Sequence, residues 1–166
     1  NYSTTSVKDY GVFFNQNKFL TTSSLKVFPQ SIDENAVVNN YLFEYGETFL
    51  DSSVQLYLDV TYTESGYLYE IERLKSIKES TYIYDKSPVE ICPYEQITYD
   101  TENFNYPAYV TYFYENLIYE YAITLEQENR IVYLYLEYFP EQKISFDKAF
   151  LPRQNTDDSS MIDKDQ

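Results

Sequence analysis

The chain has 166 residues and carries 27 acidic against 12 basic side chains, a net charge of −15. That length fits one domain, and the charge excludes the basic footprint by which nucleic acids and anionic membranes are bound. There are 21 tyrosines and no histidine or tryptophan, which also excludes histidine-based catalysis and histidine metal sites.

Residues 1–24 are rich in Ser, Thr and Asn, interrupted by Val12, Phe13, Phe14, Phe19 and Leu20. They are expected to be part tether and part docked turn or short helix. The run Leu25-Lys26-Val27-Phe28-Pro29 predicts a short strand stopped by proline, followed by a loop over 30–36. Over 37–45 Tyr41, Phe43 and Tyr45 fall on one face and Leu42 and Glu44 on the other. The clearest strand is 54–63, where Val54, Leu56, Leu58, Val60 and Tyr62 alternate with Gln55, Tyr57, Asp59, Thr61 and Thr63. Strict period two predicts a half-buried strand.

The period then changes. In 65–78 the apolar positions Leu68, Ile71, Leu74 and Ile77 recur every three residues among charges, which predicts one amphipathic helix, capped by Thr63 or Ser65 and laid across the sheet. Residues 80–85 and 89–99 are further strand candidates, the second broken at Pro93. Runs at 107–114, 117–124 and 131–139, joined by Glu115-Asn116 and by Glu126-Gln127-Glu128-Asn129, predict an antiparallel meander. Residues 144–151 add an edge strand or a docked segment, and the polar, acidic 153–166 read as a disordered tail. The expected fold is α+β, with 25–152 forming a single domain: an antiparallel sheet of about six or seven strands with one main amphipathic helix packed on it.

Three stretches carry a family likeness: Leu25-Lys26-Val27-Phe28-Pro29, the strand-helix pair ending Glu70-Ile71-Glu72-Arg73-Leu74, and Asn103-Phe104-Asn105-Tyr106-Pro107-Ala108-Tyr109-Val110. Over residues 25–152 the chain resembles predicted lipoproteins or secreted proteins of clostridial Firmicutes. That family has no established activity, so the resemblance implies no site residues. It implies an extracellular or cell-surface location on a Gram-positive bacterium, reached by a signal peptide or a lipid-modified cysteine upstream of Asn1. Composition agrees: lysine outnumbers arginine, and Tyr, Asn, Ile and Glu, with AT-rich codons, are abundant.

The one cysteine, Cys92, permits no intramolecular disulfide and has no basic neighbour to activate it. Gly11, Gly46 and Gly66 are too far apart for a nucleotide-binding loop. The Asp157-Asp158 to Asp163-Lys164-Asp165 tail lacks the glycine and glutamate of a calcium loop. No cofactor and no metal is expected. Paired carboxylates are enough for a glycosidase, and Glu44, Asp59, Glu120 and Glu137 lie within predicted strands, where the plainer expectation is that they face solvent.

The tyrosines are the stronger signal. If the aliphatic set of 131–139 faces the core, Tyr133 and Tyr135 face outward; Tyr57, Tyr119 and Tyr121, with Tyr109 as a further member, join them in a tyrosine-rich sheet face. Such a face stacks on sugars or takes a peptide or protein partner; the plainer expectation is that its rings pack on one another and stabilise the sheet, or lie beneath the helix or a second sheet layer. The expected function is a non-enzymatic, secreted or lipid-anchored binding module for a glycan, a peptide or a protein. Its expected state is a monomer or weak dimer, and it touches membrane only through the upstream segment. The competing expectations are a carboxylate-dependent glycan hydrolase and an acidic inhibitor that mimics nucleic acid.

Overall fold

A computed structural model of the chain describes residues 1–11, 25–47, 49, 52–77, 97–114, 118–137 and 143–153. It is an α+β fold. The strands are β1 (Tyr2–Thr4), β2 (Val37–Glu47), β3 (Ser52–Thr61), β4 (Thr98–Asp100), β5 (Ala108–Tyr114), β6 (Ile118–Leu125) and β7 (Arg130–Glu137); α1 (Glu64–Lys75) follows β3. They form one seven-stranded sheet in the order β1-β2-β3-β7-β6-β5-β4, antiparallel at every pairing. The chain leaves the middle of the sheet at β3, crosses one face as α1, re-enters at the far edge as β4 and meanders back until β7 lies beside β3.

The meander and the long alternating strands match the sequence expectation. The strand candidate 80–85, residues 89–96 with Cys92, the Glu115-Asn116 connection, the apolar positions between Val12 and Leu20, and 154–166 lie outside the described residues. Two features were not anticipated. Tyr2–Thr4 adds an edge strand against Phe43, Glu44 and Tyr45. The β6–β7 connection closes with Asn129 in the left-handed region at φ 51°, which a short polar side chain tolerates.

The strand expected at 25–29 does not form; residues 26–28 bend, with Val27 and Phe28 buried. Its backbone groups bond to side chains rather than to a neighbouring strand. The Lys26 and Val27 N–H groups donate to Glu120 at 2.9 and 3.2 Å, and their carbonyls accept from Arg73 at 3.2 and 2.6 Å.

The half-buried strand expected over 54–63 runs Ser52–Thr61, with Thr63 already capping α1, and it is buried on both faces. Val54, Leu56, Leu58 and Val60 join Tyr133, Tyr135, Tyr67 and Leu74 in the core beneath α1. Tyr57 points the other way, into a second core with Tyr119, Tyr121, Leu134, Phe146 and Phe150. Residues 143–153 cover that second face, as a docked segment with a short turn of helix over Lys148–Phe150 and an antiparallel bridge from Pro152 to Phe104. The Phe146 ring stacks on Tyr57 with centroids 4.8 Å apart and planes 1° from parallel.

The helix is capped as expected: the Thr63 side chain accepts from the Gly66 N–H at 3.1 Å. A Cβ at Gly66 would stand 3.1 Å from that hydroxyl and from the Asp33 carboxylate, so the cap itself favours glycine there. The buried stripe differs from the one expected. It is Tyr67, Glu70 and Leu74, with Ile71 partly buried, while Leu68 is 57% exposed. A spacing of three drifts by about 60° per step at 3.6 residues per turn, so Leu68, Ile71, Leu74 and Ile77 cannot share one face. Positions 67, 70, 71 and 74 lie within an arc of about 100°.

Cover of the second face depends on the Tyr57–Phe146 stack. Phe146→Ala is expected to cost about 3 kcal/mol of unfolding free energy, read by urea denaturation. A loss below about 1 kcal/mol would show that 143–153 is not part of the packed core.

Candidate functional site

The tyrosines expected to form an outward face do not form one. Tyr57, Tyr119, Tyr121, Tyr133 and Tyr135 are all buried, and they are divided between the two cores. The expectation fails because it assumed one covered face, and both faces are covered. Four of the five hydroxyls bond inside the protein. Tyr57 donates to Asp59 at 3.0 Å, Tyr121 to the Phe150 carbonyl at 2.9 Å, Tyr133 to Glu70 at 2.8 Å and Tyr135 to Glu137 at 2.7 Å. With the Tyr133 proton directed at Glu70, the Tyr62 hydroxyl, 2.7 Å from that of Tyr133, donates to it.

The strand carboxylates differ from expectation in the same way: Asp59, Glu120 and Glu137 are buried, not solvent-facing. Asp59 takes a bidentate pair from Arg130 at 2.8 and 2.6 Å and a third bond from Asn39 at 3.0 Å. Glu44, half-buried, accepts from Gln55 at 3.0 Å. Beta-bulges help: the register slips at Asn39 in β2 and at Thr111 in β5. In each case the residue at the slip donates to a buried carboxylate, Asn39 to Asp59 and Thr111 to Glu120. These acids are committed to internal donors, and none of the four lines the groove described next.

That groove, about 560 Å³ in volume, lies between α1 and the β4–β5 edge. One wall is the helix stripe Leu68, Ile71, Glu72 and Lys75; the facing wall is Tyr99, Tyr106 and Tyr109, and the Glu126–Glu128 turn contributes as well. Tyr99 is 55% and Tyr106 37% exposed. Each ring is held by another: Tyr99 meets Tyr109 at 4.9 Å, and Tyr106 meets Phe150 at 5.9 Å. Tyr67 also lines the groove; burial, followed by the Glu126 charge, pushes its hydroxyl up to about 12. Burial also raises Tyr109, with Tyr99 and Glu72 adding to it.

Of these residues only Tyr109 was among the sequence candidates. A signal for the others was present in the helix. Tyr67, Leu68, Tyr69, Ile71 and Leu74 are more apolar side chains than one stripe can bury, and Leu68 and Tyr69 are the surplus, at 57% and 72% exposed.

Among the described residues, no cluster of three or more His, Cys, Asp or Glu is arranged to hold a metal, and no helix is long and apolar enough to cross a membrane. Compared with protein-family models, curated proteins and solved structures, the chain matches none.

Glu120 gives the sharpest pH signature. Burial raises its carboxyl from the ordinary 4.5 to about 7, against the opposing pull of the Thr111, Lys26 and Val27 donors. A carboxyl raised on folding stabilises the fold fully below its unfolded value, and that contribution is lost as pH rises through the folded one. Between pH 4.5 and 8 wild type should therefore lose about 3 kcal/mol relative to Glu120→Gln, measured as the difference in urea stability at each pH. A difference that stays flat across that window would show that Glu120 ionises normally.

Proposed function

We propose that this chain is an extracytoplasmic binding module whose ligand lies in the groove between α1 and the β4–β5 edge. The carrying observation is the exposure of Tyr99 and Tyr106 opposite Leu68, in a protein that buries tyrosines throughout its two cores. Aromatic surface left open in a concavity is the usual mark of a binding site. A tyrosine held by a neighbouring ring offers contact area at little entropic cost. The extracytoplasmic setting rests on the likeness to exported clostridial proteins. A binding role accords with the engagement of Asp59, Glu120 and Glu137 by internal donors, which keeps them from acting on a substrate.

The test is a peptide and glycan array probed with the wild-type protein and with Tyr99→Ala/Tyr106→Ala. Loss of two exposed anchors should weaken each hit by about tenfold or more with little change in stability. Tyr69→Ala, exposed on α1 but not lining the groove, should leave binding unchanged. Hits that survive the double substitution would place the binding surface elsewhere.

A further inference from the structure

We infer that the groove recognises a cation, the ammonium or guanidinium of a lysine or arginine in an extended peptide segment of a partner protein. The inference deepens the binding role above and rests on it. The groove is lined by three carboxylates, Glu72, Glu126 and Glu128, against one cation, Lys75. Lys75 is 3.7 Å from Glu72 on an exposed surface, where such a pair is worth little. Glu128 is 3.8 Å from Arg130, whose closer partner is Asp59 at 2.6 Å. Glu126 forms no ion pair among the described residues. The groove therefore carries unmatched negative charge beside tyrosine rings.

That combination selects one ligand chemistry. A cation placed over a tyrosine face gains from the ring quadrupole, and a carboxylate within reach adds Coulomb attraction that a partly enclosed groove screens less than open water does. Anionic ligands are repelled both there and by the net charge of −15. A neutral sugar would stack on the rings without using the carboxylates.

The dimensions favour a peptide over a small amine. Leu68, Ile71, Glu72 and Lys75 run along one side of α1 for about 10 Å at 1.5 Å per residue. That length accommodates about three extended residues. The aliphatic side chains Leu68, Ile71 and Leu125 provide contact for an apolar neighbour of the cation.

The experiment titrates the protein against a fluorescein-labelled hexapeptide of alternating arginine and leucine. It uses the same peptide with glutamine in place of arginine, and a linear neutral oligosaccharide, as comparisons. The arginine peptide should bind about tenfold or more tightly than the glutamine peptide, and its affinity should fall with added salt. Glu126→Gln/Glu128→Gln should weaken it by about fivefold or more. Glu34→Gln/Glu47→Gln removes the same charge from exposed positions that do not line the groove and should change affinity by less than about twofold.

Equal losses from the two charge pairs would mean that the overall field, not the groove, attracts the peptide, and would overturn the inference. So would equal binding of the arginine and glutamine peptides, or binding of the oligosaccharide alone. In those last two cases, sensitivity to Tyr99→Ala would show that the groove still binds. If no probe responds to Tyr99→Ala/Tyr106→Ala, the groove reading and the inference fall together.

Discussion

A carboxylate removed from water must be given donors or a proton, and this fold places Asp59, Glu70, Glu120 and Glu137 inside. Much of the architecture follows from supplying those donors. Arg130 and the Asn39 bulge serve Asp59; Arg73, through three bonds of 2.8 to 3.1 Å, and Tyr133 serve Glu70. The backbone of 26–27 and the Thr111 bulge serve Glu120. The Arg73 guanidinium also reaches the Lys26 and Val27 carbonyls. One irregular segment is thereby tied to α1 by its carbonyls and to β6 by its N–H groups.

The same constraint accounts for part of the tyrosine content. A phenylalanine fills a core but offers no donor; a tyrosine fills it and can end on a carboxylate or a carbonyl. Tyr57, Tyr121, Tyr133 and Tyr135 all do so in the middle of the sheet. Covering both sheet faces, one by α1 and one by 143–153, makes this double use of side chains necessary. Strands buried on both sides leave few positions where a polar residue can turn to water.

The architecture was legible in the sequence because it depends on backbone period. Alternation over 54–63, two residues past the observed end at Thr61, and the meander from 107 onward mark strands whatever lies above them. Which face is covered depends on a partner layer, and period two is silent on that. The polar set Gln55, Tyr57 and Asp59 therefore reads as a solvent face, although Phe146 and Arg130 cover it. Similarly, Leu25–Pro29 has the composition of a strand, but its backbone bonds to Glu120 and Arg73 come from positions distant in sequence, and no local pattern encodes them. The groove was least legible, because Tyr99 and Tyr106 come from a three-residue strand and a bend, whose exposure no local pattern encodes.

The rotation of α1 places a carboxylate on its buried face. An inward arc centred on Ile71 would take in Leu68 and Leu74 and leave Glu70 outside it. Glu70 occupies the inward arc instead, drawn there by Tyr133 and accompanied by Tyr67 and Leu74. A helix carries only about 100° of contact surface, so admitting Glu70 turns Leu68 out toward the Tyr99 side, where the two walls stand apart and enclose about 560 Å³. The buried Glu70 and the outward Leu68 of the groove wall are thus two aspects of one helix rotation. A change that let Glu70 leave the core would be expected to alter the groove wall without touching any residue that lines it.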